Sequence, residues 1–336
     1  MKRKKASMQT IADRLGISKV SVSKALGNQP GIGDELRRKV FEVAQEVGYV
    51  ADKRAGTKST GRFSFLVPKR FFLENENFYT TIYYYLNRMC MEQSLSLSLH
   101  VVNAGEEKSL KIPSLVSKDA TDGIFLAGEI DEPYLYSLAN LQIPMVSVDF
   151  YKPHLVTDCI LTDNFFIGYS ATMYLIERGH RHIGFVGNPR FQVGITDRFF
   201  GYRKALATNG LDFVPEWNIV NNDPATGQYS LENPLPSNLP GAFVCHCDMA
   251  AYFLIKQLQL VGKNVPRDVS LVSFDNTEIS RISIPPLTTY DIDKRQFAEK
   301  ALKRMQERIA RPDDPPHRIY IETRLLERDS VAQSLS

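Results

Sequence analysis

The side chains best placed to do chemistry lie near the N-terminus: Lys19, Val20, Ser23 and Lys24, within the run Thr10–Leu26. Two ammonium groups, a hydroxyl and an exposed pair of methyls suit a polyanion whose groove edges offer acceptors and methyl groups. To act together they must share one helix face, and their neighbours supply it. Ile11, Ala12 and Leu15 stand at helical spacing, and Gly16 ends that first helix where left-handed backbone costs least. Ser18 can cap a second helix whose Val22, Ala25 and Leu26 face inward, leaving Lys19, Val20, Ser23 and Lys24 outside. A third amphipathic stretch carries Leu36, Val40, Val43, Ala44 and Val47 before Gly48. Three short helices with a basic outer face on the second are the layout of a helix-turn-helix DNA reader. A helical hairpin at a domain edge would show the same pattern, because such motifs are loose.

Charge separates the two. Residues 1–62 hold 14 Lys/Arg against 6 Asp/Glu, whereas the whole chain holds 41 against 38. A basic head therefore sits on a mildly acidic body, which points to a polyanion partner for the head alone. Lys2–Lys5 could be a solvated tail, but Lys19, Lys24 and the run Arg37–Lys39 are not accounted for that way.

Other constellations are weaker. Cys245-His246-Cys247 has the look of a metal clip, but no second Cys/His pair lies nearby, and the apolar run before it favours small residues at a strand end. His180 and His182 follow Gly179 at a helix C-terminus, where cations suit the dipole. No Walker A, G-x-G-x-x-G after a strand, G-x-S-x-G or H-E-x-x-H motif is present, so an enzyme is not expected and no cofactor or metal is called for. Four cysteines in 336 residues suggest no disulfide framework, and no apolar run is long enough to span a bilayer. A cytoplasmic protein without a membrane partner is the expectation.

Residues 51–62 are small, polar and basic without apolar periodicity, and read as a linker after a helix-turn-helix domain over 1–50. From Phe63 short apolar runs alternate with amphipathic stretches. Strands are expected at Phe63–Val67, Leu95–Val102, Gly123–Leu126, Met145–Val148, Cys159–Leu161, Ile183–Val186, Ala242–Cys245, Val269–Phe274 and Thr288–Asp291. Helices are expected near Tyr79–Gln93, Glu132–Asn140, Phe165–Arg178, Arg198–Asn209, Ala250–Val261 and Asp293–Ala310. Such alternation implies right-handed βαβ units on parallel, doubly wound sheets, and too many units for one sheet.

With these elements in place, the chain resembles the lactose-repressor/galactose-repressor (LacI/GalR) family of bacterial transcription regulators. Thr10–Leu26 looks like that family's DNA-reading motif. Thr121–Leu126, Ile143–Asp149, Tyr174–Arg181, Arg198–Tyr202, Asp268–Asp275, Pro286–Thr289 and Arg324–Arg328 follow in family order. The resemblance implies an N-terminal all-α head and a two-lobed periplasmic-binding-protein-like α/β core over 63–336. Lobe 1 is expected at about 63–160 and 291–322, lobe 2 at about 161–290 and 323–336. It implies a homodimer reading a pseudo-palindromic operator in double-stranded DNA, and a small-molecule effector, a sugar first and a nucleobase second, held between lobes.

The resemblance puts Lys19, Val20 and Lys24 against bases. Ser7, Ser18, Ser21 and Ser23 could serve phosphates, with capping as their plainer role, and Asn28 follows the recognition helix. It puts Phe78, Tyr79, Asp149, Phe150, Arg198, Asp248 and Asp275 at the effector: carboxylates and a guanidinium for hydroxyls, rings for C–H faces. One departure concerns the linker, which lacks the leucine that the family wedges into the minor groove. Backbone contacts through Lys53, Arg54, Lys58 and Arg62 are expected instead. No leucine heptads follow Arg328, so no tetramerising coiled coil is expected. A solute-binding protein, or a small-molecule enzyme on a similar core, are the rival readings.

Overall fold

The computed structural model describes residues 7–49, 60–72, 78–153, 155, 157–223 and 225–334. The chain forms two compact units. The first comprises residues 1–72, 81–160 and 297–319, the second 73–80, 161–296 and 320–336.

The first unit begins with the head: α1 (Met8–Leu15), α2 (Lys19–Leu26) and α3 (Asp34–Glu46). Ser7 caps α1, Gly16 ends it at φ 65°, and Ser18 caps α2 by accepting from the Ser21 amide. Ile11, Ala12, Val22, Ala25, Leu26, Val40, Phe41 and Ala44 form the small core. On α3 the inward side is Val40, Phe41 and Ala44 with Arg37, while Leu36, Val43 and Val47 are half-buried. Arg37 is not available to a polyanion. Its guanidinium is buried and donates to the carbonyls of Ala25 (3.1 Å), Gln29 (3.0 Å) and Ile32 (3.3 Å), closing the end of α2. Arg38 and Lys39 pair with Glu42 and Glu35 one turn away. Arg37 is thus spent inside the head, while Arg38 and Lys39 stay at its surface in exposed pairs.

The rest of this unit holds β1 (Arg62–Pro68), most of α4 (Phe78–Glu92), β2 (Ser96–Val102), α5 (Ala104–Ser109), β3 (Gly123–Ala127), α6 (Glu132–Ala139), β4 (Met145–Val148) and most of β5 (Asp158–Thr162). The sheet runs in the order β2-β1-β3-β4-β5, with the later strand β11 outside β5. The second unit repeats the plan with α7 (Asn164–Glu177), β6 (Ile183–Val186), α8 (Val193–Thr208), β7 (Asn218–Ile219), β8 (Ala242–Cys245), α9 (Asp248–Leu260), β9 (Ser270–Phe274), α10 (Glu278–Ile282) and β10 (Thr288–Ile292). Its order is β7-β6-β8-β9-β10, closed by β12. α11 (Lys294–Ala310), β11 (Arg318–Ile321) and β12 (Thr323–Leu326) complete the chain. Strands β6 to β10 pair parallel, and β12 runs antiparallel to β10. Central strands such as β3, β6, β8 and β9 are buried along their whole length, as continuous apolar runs demand.

Some details depart from the sequence reading. β10 lies between β9 and β12, so residues 291–296 stay with the second unit, and the chain returns to it at 320. α5, α10, β7, β11 and β12 carried no usable period, being short or at a sheet edge. Arg62 is not a linker residue: it opens β1, and its guanidinium donates to Thr60 Oγ1 and the Asp119 carbonyl. Lys53, Arg54 and Lys58 lie outside the described residues.

Candidate functional site

The head presents one basic surface. Lys19, Val20, Ser23 and Lys24 are all exposed on α2, Val20 at 64%. An apolar side chain that open on a polar helix has no packing role in the head. The other serines are occupied locally. Ser7 forms a capping box with Thr10, and the Ser18 and Ser21 hydroxyls lie 2.9 Å apart. Asn28 turns elsewhere: its amide donates to the carbonyls of Pro113 and Val116, 3.3 Å each.

In the second unit a polar cluster gathers at the C-terminal edge of the parallel strands. The β7-β6-β8 order makes this the switch point at which open α/β sheets bind ligands. Arg198, on α8, is buried. It donates Nε to Asn164 Oδ1 (2.7 Å), Nη1 to the His246 carbonyl beyond β8, and Nη2 to Asp275 Oδ1 at 3.5 Å. Its guanidinium also lies 4.6 Å from the Phe274 ring centroid. Two glycines bring Arg198 to Asn164. A Cβ on Gly168 would stand 2.2 Å from the Arg198 carbonyl oxygen, and one on Gly201 would stand 2.1 Å from that of Phe165, so α7 and α8 cross in near contact.

Asp275 leaves β9 at φ 98°, and its amide donates to the Tyr290 carbonyl. Lys294, at the start of α11, donates to the Asp275 carbonyl and sits 5.8 Å from the Phe78 ring centroid. Burial lowers the Lys294 pKa, while Asp275, Asp248 and Asp291 oppose that shift. Phe78 meets Tyr79 edge-on at 5.1 Å, and Gln192 donates to the Tyr79 hydroxyl (2.8 Å).

Asp248 proves to be a support. It is fully buried and accepts from Ser273 Oγ (2.6 Å), Thr289 Oγ1 (2.7 Å), and Thr277 N and Oγ1 (2.7 and 2.9 Å). These bonds tie the start of α9 to the end of β9, the start of β10 and Thr277, two residues past Asp275. Burial and then Asp275 push its carboxyl up to about 6, against those donors. His246 is equally enclosed. Its Nδ1–H donates to the Val186 carbonyl (3.1 Å), which leaves Nε2 to accept from the Tyr229 hydroxyl (3.1 Å). Burial lowers its pKa to about 4, so the ring is neutral near pH 7. Cys245 ends β8 and Cys247 caps α9. His180 is also no cationic cap: it is buried, bonds the Ala332 carbonyl, and its pKa is lowered by burial.

In the first unit, Asp149 follows β4 at φ 67° with its amide on the Ile160 carbonyl. Phe150 is fully buried, a packing residue rather than an open ring face. Asn164, Gln192, His246 and Lys294 were not among the expected effector residues. Nothing in their local sequence marks them, since each meets its partners only through tertiary packing.

The architecture defines a helix-turn-helix head on a core of two parallel-sheet α/β units. The comparisons agree. A periplasmic-binding-protein-like domain model matches residues 172–331. The HTH-type transcriptional repressor PurR of Escherichia coli O1:K1 / APEC is 30% identical over 339 residues, covering 97% of this chain and 97% of that protein. Among solved structures, the transcriptional regulator CelR–cellobiose complex superposes with a TM-score of 0.73 at 22% identity, over 97% of this chain and 100% of that one. The lac repressor dimer bound to operator and the anti-inducer ONPF gives 0.68 at 18% identity, over 98% and 100%. The chain belongs to the LacI/GalR family of transcription regulators. It is an effector-controlled DNA-binding regulator, and among the described residues no helix is long and apolar enough to cross a membrane.

Proposed function

We propose that this regulator is a cytoplasmic homodimeric repressor, without catalytic activity, whose operator affinity responds to a sugar bound at the C-terminal edge of the second unit's sheet. The observation that carries this is Arg198. It is a buried guanidinium whose described bonds use three of its five N–H groups, with Asp275 and the Phe274 ring beside it, while Lys294, which bonds the Asp275 carbonyl, lies near the Phe78 ring. Remaining donors, a carboxylate and aromatic faces are what a compact polyol needs. Arg198, Asp275, Phe78 and Tyr79 are the proposed effector contacts, with Lys294 beside them. Asp149, after β4, is a further proposed effector residue on the family resemblance, and Asp248 holds the backbone around Asp275 through Ser273 and Thr277. The cellobiose held by CelR supports a sugar in this chain too.

On the DNA side, Lys19, Val20, Ser23 and Lys24 are the proposed readers, with Lys53 and Arg54 on the backbone. Two heads in a symmetric dimer require a pseudo-palindromic site. The effector acts by binding one conformation of the core more tightly than the other.

A thermal-shift panel of neutral sugars and nucleobases on the full chain, followed by anisotropy titration of a selected palindromic duplex with and without each hit, tests the proposal. A sugar that raises the melting temperature and moves duplex affinity is the expected result. A nucleobase as the sole hit would replace the sugar. Duplex binding indifferent to every binder would remove the effector reading.

A further inference from the structure

The head contacts the first core unit directly as well as being joined to it through residues 50–59. α3 packs against α5 and α6, and Asn28 donates its amide to the Pro113 and Val116 carbonyls. We propose that Asn28 is a latch that seats the DNA-reading head on the core, a positioning residue rather than a DNA contact. The inference rests on α2 being the reading helix.

The local geometry suits that task. α2 ends in a double closure, with the Asn28 amide on the Ala25 carbonyl (3.2 Å) and the Gln29 amide on the Lys24 carbonyl (2.9 Å). Asn28 takes the left-handed position at φ 53°, which asparagine tolerates better than most residues. Its side chain is therefore rigidly joined to the last turn of α2, and whatever holds the amide holds the reading helix. The acceptors are two backbone carbonyls of one short turn, so one side chain grips one body. Leu36 and Val43 on α3, and Val47 just past it, are half-buried and lie beyond the head's own core.

The seat is itself anchored. Arg70, just past β1, donates to the buried Glu107 carboxylate on α5 and to the Glu129 carbonyl, and the Asp131 amide before α6 donates to Glu107 at 3.1 Å. α5 and the start of α6 are thus pinned to the C-terminal end of β1. With the head seated, Lys19, Val20, Ser23 and Lys24 remain exposed, so the latch orients the reading face without covering it.

The test uses the full chain with Gln29→Cys and Ser114→Cys, both exposed positions, and a short bismaleimide. All four native cysteines are buried, so bridging reports the introduced pair. Asn28→Gly keeps the left-handed backbone and deletes the amide. Asn28→Asp keeps the shape but presents only acceptors to the two carbonyls. Both are expected to slow bridging about tenfold, the scale of one or two lost hydrogen bonds. Binding to a random-sequence duplex is expected to stay unchanged. Equal bridging rates in all three proteins would overturn the latch. So would weaker duplex binding with unchanged bridging, which would make Asn28 a DNA contact. If no form bound any duplex while bridging still depended on Asn28, the latch would stand and the DNA-reader assignment would fall.

Discussion

Arg198→Lys keeps the charge and removes the fork. Arginine serves three acceptors here: Asn164 Oδ1, the His246 carbonyl and, at 3.5 Å, Asp275. A lysine ammonium at the end of a thinner stem can reach one of them well. The Asp275 contact is the longest and counts least. That leaves one firm acceptor and one weak one without a donor in a buried setting, at about 1–3 kcal/mol for the first and less for the second. A loss of roughly 2–4 kcal/mol corresponds to a fall of about 5–12 °C in the transition of the second unit. The effector should suffer more, because lysine cannot present two parallel N–H groups to neighbouring hydroxyls. Calorimetry of parent and variant, each with and without the sugar giving the largest shift in the parent, separates the two effects. The expected result is a lower transition together with a ligand-induced shift cut to near zero. A lower transition with the ligand shift intact would make Arg198 a purely structural residue. An unchanged transition would mean that the buried bonds do not hold the unit together, and the reasoning would fail.

Asp248→Ala should cost more than any single change in the effector cluster, on the order of 3–5 kcal/mol in urea unfolding, because four donors lose their common acceptor. His246 gives a pH signature. Its pKa is lowered to about 4 in the folded protein, so its contribution to stability is complete above pH 6.5 and is lost as pH falls toward 4. His246→Gln should therefore gain about 3 kcal/mol relative to the parent between pH 6.5 and 4, and a parallel pair of pH–stability curves would refute this. Asp248 works in the opposite sense. Raised to about 6, it favours the fold as pH drops through that value, and it partly masks the histidine in the parent. In the head, Arg37→Met should lower helical stability by about 1–3 kcal/mol through the three carbonyls it releases, followed by circular dichroism. Lys19→Ala and Lys24→Ala should each flatten the log–log salt dependence of duplex binding by about 0.9 for a lost phosphate contact. A slope that did not move would assign the lysine to base edges or to no contact.

Local pattern was enough for the head and the strands. Ile11, Ala12, Val22 and Ala25 are buried at the expected spacing, Gly16 and Ser18 cap as read, and β4, β6 and β8 begin and end on the expected residues. Those features depend on neighbours a few positions away, and a linear chain displays them directly. Within the charge run Arg37–Lys39, Arg37 misled for the complementary reason. Whether an arginine faces solvent or three carbonyls depends on how helices dock, not on its own neighbours. The proposed effector cluster shows the same limit at larger scale. Arg198 meets residues 34, 48 and 77 positions away, and Asp248 is bound from 25 to 41 positions away. Resemblance named Arg198, Asp248 and Asp275 but did not separate a buried guanidinium proposed to contact the effector from a saturated buried carboxylate. It also passed over Lys294, Asn164 and His246. The amino-acid order settled which segments become helix or strand and which end of the molecule is cationic, since backbone sterics and short-range periodicity act within a turn or two. Which of those side chains share one edge of a sheet was left to the packing of whole strands and helices, because only that brings distant residues within hydrogen-bonding reach.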